Sequence, residues 1–139
     1  MISIIVGSKG HGKTKKLISM VDEAVKTSLG NVVVIEKTPN LGSNITTKAR
    51  LVNTDAYDIK SVNGFYGFLA GICAGNYDVT HIFVDATLKI IGRDYNDLIT
   101  LFKRIEGLSK ESDADFILTV SEDKDKLPAE IFEICNLID

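Results

Sequence analysis

The clearest chemistry in this chain lies in eight consecutive residues, Gly7-Ser8-Lys9-Gly10-His11-Gly12-Lys13-Thr14. Glycines at positions 7, 10 and 12 let successive backbone N–H groups turn inward around one anion. A helix starting behind them adds roughly half a positive charge at its N-terminus. The matching ligand is a polyphosphate: Lys13 would reach its outer oxygens, and the Thr14 hydroxyl would hold a Mg2+ ion bridging two phosphates. Lys15 and Lys16 join Lys9, His11 and Lys13 in the same stretch. In a chain of net charge −3, this focuses positive potential where the phosphates would sit. The expected ligand is therefore a nucleoside triphosphate with magnesium.

A second group of residues could complete the chemistry. Asp85 follows the apolar run Ile82-Phe83-Val84, and a carboxylate at that place can orient magnesium through water. Glu36 ends another apolar run and could act as a general base through one water; a solvated charge beside Lys37 is the equal alternative. Ser121 could contact the terminal phosphate or an attacking water, or simply start the turn before Glu122-Asp123. Of the three arginines, Arg93 alone lies in a segment near enough to reach a nucleotide. His11, within the loop, and His81, at the outer start of a strand, have no metal-ligand spacing. Nor do the two cysteines, Cys73 and Cys135, which sit in apolar helical patterns and are expected to be buried, reduced thiols.

These residues need a scaffold that brings them to one edge. Residues 2–6, 32–35, 81–85 and 115–120 are short, β-branched apolar runs suited to buried parallel strands. Residues 137–138 could add a very short fifth strand, and residues 50–53 carry a weaker strand signal. Helical spacing recurs between the runs: Leu17, Ile18, Val21, Ala24 and Val25, with Gly30 as a C-terminal stop; Phe65, Phe68, Leu69 and Ile72; Leu98, Ile99, Phe102, Ile105 and Leu108, with Asp94 as N-cap; and Ile131 and Ile134 after Pro128. Residues 41–48, rich in Gly, Ser, Thr and Asn, predict an exposed loop. Strands alternating with helices give a parallel sheet covered on both faces, and ligands bind outside the carboxyl ends of such strands. The glycine loop, Glu36, Asp85 and Ser121 all fall at those ends.

Length and composition bound the rest. The 139 residues fit one domain, and 45% hydrophobic with 25% charged residues is the composition of an ordinary soluble protein. No apolar run approaches the roughly 20 residues of a membrane span, and residues 2–6 are too short for a signal h-region, so the expected location is the cytoplasm. The acidic balance gives no global drive toward nucleic acid.

On the residues from Gly7 to Thr14 and the strand–helix order around them, the chain resembles the P-loop NTPase superfamily, in particular its RecA-like branch. Over residues 4–40 it is similar to the type IV pilus retraction (twitching motility, PilT-like) ATPases, although the N-terminal domain and acidic segments of those motors have no counterpart here. The core of thymidine kinase is a second resemblance, without that family's zinc ribbon. The resemblance implies a three-layer α/β sandwich, a five-stranded parallel sheet in the order 5-1-4-3-2, with ATP as the nucleotide. It also implies a glutamate after the magnesium-orienting aspartate, where this chain has Ala86. A slow ATPase or a nucleotide-dependent switch is therefore expected, with a homo-oligomer or protein partner supplying an arginine. The alternatives are a non-hydrolysing, nucleotide-controlled assembly module and a nucleoside-type small-molecule kinase.

Overall fold

The computed structural model describes residues 1–138. Its strands are β1 (Ile2–Val6), β2 (Asn31–Glu36), β3 (Arg50–Asn53), β4 (Val79–Val84), β5 (Asp115–Val120) and β6 (Asn136–Leu137). Its helices are α1 (Lys13–Thr27), α2 (Val62–Gly75), α3 (Thr87–Ile91), α4 (Tyr95–Ser112) and α5 (Ala129–Ile134). The strands form one parallel sheet in the order β3-β2-β4-β5-β1-β6.

The expectation of five strands is corrected to six. The added strand is β3, which extends the sheet beyond β2 without disturbing the order of the other five. Only Leu51 and Val52 of its four residues are apolar, so its pattern is too short to assert a strand; pairing with residues 33–36 of β2 supplies the rest. Short α3, between Asp85 and Asp94, was also not legible as an element of its own.

Period-two alternation distributes the core to both faces of the sheet. Ile4, Ile35, Ile82, Val84, Phe116 and Leu118 pack under α2, α3, α4 and α5. Ile5, Val34, Phe83 and Ile117 pack under α1. One 15-residue helix cannot cover that second face, and Leu41, Ile45 and Ala49 complete the cover. The reading of residues 41–48 as an exposed loop holds for Gly42, Ser43, Asn44, Thr47 and Lys48 and is corrected at Leu41 and Ile45, which are buried; a single turn closes where Asn44 and Ile45 donate their N–H groups to the Leu41 carbonyl.

Helix ends follow local chemistry. The Asp94 carboxylate accepts from the Asn96 N–H at 2.9 Å and caps α4, as its sequence predicts. Gly30 serves a different purpose from the expected helix stop. α1 ends on Ser28, and a Cβ on Gly30 would lie 2.0 Å from the Asp78 carbonyl oxygen, so this glycine permits the close approach of two turns. Cys73 and Cys135 are free and buried, as expected. Burial, with the nearby Glu106 carboxylate, pushes the Cys135 thiol up to about 12. Among the described residues no helix is long and apolar enough to cross a membrane.

Candidate functional site

The carboxyl ends of β1, β2, β4 and β5 lie at one edge of the sheet, and a cavity of about 680 Å3 opens beside them. β1 ends at Val6, and the chain passes through the glycine loop directly into α1. Gly12 is the residue before α1 and adopts a left-handed conformation (φ 77°, ψ 16°), which an L side chain would resist. Behind it the first N–H groups of α1 have no partners within the helix, and its first turn carries no acidic residue. This end of the helix therefore faces the cavity as a source of positive potential.

Of the loop, Ser8, Lys9, Gly10, Gly12, Lys13 and Thr14 line the cavity. Gly7 and His11 turn to a neighbouring hollow of about 550 Å3, and Asp123 and Lys126 border both spaces. Gly7 donates its N–H to the Val120 carbonyl at 3.4 Å, which ties the start of the loop to the end of β5. Lys13 is buried, and its Nζ donates to the Ser8 carbonyl at 3.0 Å, inside its own loop. Burial holds this ammonium below the ordinary lysine range, and the Asp85 carboxylate partly opposes that shift.

Asp85 comes from a segment 71 residues away and meets the loop here. Thr14 Oγ1 donates toward both its carboxylate oxygens, at 3.3 and 3.2 Å. Thr119, on β5, donates to Oδ1 at 2.8 Å, and the backbone N–H of Asp85 is fixed on the Ile35 carbonyl of β2. A threonine hydroxyl beside a carboxylate is an all-oxygen donor pair of the kind magnesium takes, so the residues fit that ion. Among the described residues no cluster of three or more His, Cys, Asp or Glu could hold a metal. An ion between Thr14 and Asp85 would thus need water and ligand phosphates to fill its shell.

Ala86 lines the cavity next to Asp85, in a left-handed conformation (φ 55°, ψ 58°). Ser121 and Arg93 also line it. The Arg93 guanidinium donates to the Ser121 carbonyl at 3.4 Å and to Glu122 Oε2 at 3.0 Å, and Tyr95 donates its hydroxyl to the same carboxylate oxygen. Lys9, Lys13, Lys15, Lys89, Arg93 and Lys126 face three carboxylates, those of Asp85, Glu122 and Asp123, a balance suited to a polyanion.

Glu36 is at the correct end of its strand but does not line the cavity. Both its oxygens accept from the Leu41 N–H at 3.2 Å, and Oε2 also accepts from Asn53 Nδ2. The structure thus joins the glycine loop, Asp85, Ser121 and Arg93, and leaves Glu36 outside the group. It also brings in Thr119, Lys89 and Asn40, which no motif in the sequence marks. Thr119 was findable: period-two alternation places it on the same face as Ile117, and the same alternation carries Asp85 with Phe83. Neither the family models nor the curated proteins gave a match to this chain.

Proposed function

We propose that this chain binds a nucleoside triphosphate with Mg2+ in the cavity beside the glycine loop, and that it works as a slow ATPase or a nucleotide-dependent switch. The observation that carries the reading is the meeting of Lys13, Thr14 and Asp85 at one cavity edge. In this reading the loop N–H groups and the α1 terminus hold the phosphates. Lys13 leaves the Ser8 carbonyl for a phosphate oxygen, a charge-assisted contact stronger than the neutral one it replaces. Thr14 and Asp85 hold the ion, Asp85 through water. When bound, magnesium would neutralise charge on the two outer phosphates. ATP is preferred on the resemblance of the loop to the P-loop NTPases.

Slow turnover follows from what stands beside the acid. A positioned general base contributes about 10²- to 10⁴-fold in rate, and the Ala86 methyl group cannot act as one. Glu36 is engaged with Leu41 and Asn53. Glu122, which does line the cavity, is engaged with Arg93 and Tyr95.

The test is calorimetric titration of wild type and Lys13→Ala with ATP and Mg2+. The variant is expected to keep its fold and lose at least about tenfold in affinity, since a hydrogen bond to a charged group contributes roughly 1.5–3 kcal/mol. Equal affinities at unchanged thermal stability would remove the glycine loop from the binding site.

A further inference from the structure

Asp85 is aimed by a buried hydroxyl of the neighbouring strand. Thr119 is 1% exposed and is the polar residue in the otherwise apolar run from Phe116 to Val120. Its hydroxyl has two partners. The Ala86 N–H can only donate, so Thr119 Oγ1 accepts from it at 2.7 Å; the one hydroxyl proton is then committed to Asp85 Oδ1 at 2.8 Å. The direction of both bonds is thereby fixed.

We propose that Thr119 is the positioning residue for the metal-binding carboxylate of Asp85. The inference rests on the magnesium role given to Asp85 above. In the structure Thr14 and Thr119 both donate to this carboxylate. An ion on a lone pair of the Thr14 hydroxyl would leave its proton free to donate to Asp85, but the place of that hydroxyl would then follow the ion. Thr119 is not tied to the ion in this way: it is 1% exposed and its proton is committed to Oδ1. Its bond survives ion binding and fixes the rotation of the carboxylate group. The same hydroxyl holds the left-handed Ala86 peptide, where the chain turns from β4 into α3.

β5 is well placed for this work. Thr119 is in register with Ile5 of β1, and the next residue, Val120, receives the Gly7 N–H through its carbonyl. One strand end therefore sets both the start of the glycine loop and the aim of the acid, and fixes the spacing between them.

The experiment compares wild type, Thr119→Val and Thr119→Ser by titration with ATP, once with Mg2+ and once with EDTA. Valine keeps the shape and removes both hydrogen bonds, whereas serine keeps the hydroxyl. Thr119→Val is expected to lose about tenfold in affinity with Mg2+, the size of one lost hydrogen bond to a charged group. In EDTA it should stay within about twofold of wild type, and Thr119→Ser should follow wild type in both buffers. If valine does not fold, Thr119→Cys, which puts a weak thiol donor and acceptor in place of the hydroxyl, is compared with Thr119→Ser, its near-isostere, with the same expectation of a magnesium-dependent loss. A variant that loses equally in both buffers, or in neither, overturns the positioning role while wild type still responds to Mg2+. A wild type whose affinity is indifferent to Mg2+ overturns the metal reading of Asp85, and this inference with it.

Discussion

Glu36 and Asp85 invite comparison because their sequence contexts are so alike. Each follows an apolar β-run, each lies at the carboxyl end of a strand, and the two strands are neighbours in the sheet. They are buried to similar degrees, at 4% and 8% exposure. Their partners separate them. Glu36 accepts from a backbone N–H and an asparagine amide, donors that belong to the turn after β2 and to the end of β3. Asp85 accepts from two hydroxyls, one of which belongs to the glycine loop. A hydroxyl oxygen can also offer a lone pair to a metal ion, but a backbone N–H cannot. The same side-chain chemistry at adjacent strand ends therefore closes a turn in one case and lines the cavity beside the glycine loop in the other.

The largest effect expected from this contrast is on stability, at Glu36. Glu36→Ala leaves the Leu41 N–H and the Asn53 amide without their acceptor, and an unsatisfied buried donor costs about 1–3 kcal/mol. The variant should lose about 2–4 kcal/mol in urea unfolding, because the turn also seats Leu41 in the α1-side core. Its nucleotide affinity should stay within about threefold of wild type, a shift smaller than one hydrogen bond to a charged group. A stable variant with lost affinity would reverse the assignment and make Glu36 the ligand-facing acid.

This contrast also marks what could be read from the sequence. The strand ends were legible because β-branched apolar runs stop sharply at Gly7, Glu36, Asp85 and Ser121, and Gly7 to Thr14 was legible because glycine spacing and a Lys-Thr pair carry their own geometry. The pattern at β3 was too short, since a four-residue edge strand is specified by the strand beside it. Leu41 and Ile45 were hidden by their polar neighbours, although a spacing of four was present. Which of two buried carboxylates faces the cavity depends on Asn53 and Thr119, residues 17 and 34 positions away along the chain. No local pattern around Glu36 or Asp85 contains that choice.

Asp85→Asn is the intermediate case. Its amide oxygen can still accept from Thr119 or Thr14, so the unfolding free energy should change by less than about 1.5 kcal/mol, below the usual cost of an unsatisfied buried group. What is lost is the charge that attracts the ion. Affinity for ATP measured with Mg2+ should fall about tenfold, with a fall of less than about threefold in EDTA. Isothermal titration in the two buffers measures both. Equal losses would mean that Asp85 acts on the loop alone and is closer in kind to Glu36 than the hydroxyl partners suggest.

The smallest effect belongs to Ala86, where the two strand ends differ in main chain as well as side chain. The left-handed conformation at this position disfavours an L residue by about 1–2 kcal/mol, and glycine removes that cost. Glycine also gives the unfolded chain more freedom, which offsets about 0.5–1 kcal/mol of the gain. Ala86→Gly should therefore be as stable as wild type or more stable by up to about 1 kcal/mol in urea unfolding. The Ala86 N–H, held by Thr119, is untouched by the substitution, so magnesium-dependent affinity should stay within about twofold. A loss of stability would show that the Ala86 methyl group packs at the cavity edge. A loss of magnesium response at normal stability would show that a stiff backbone after Asp85 is needed to hold its carboxylate, and that the hydroxyl of Thr119 is not enough alone.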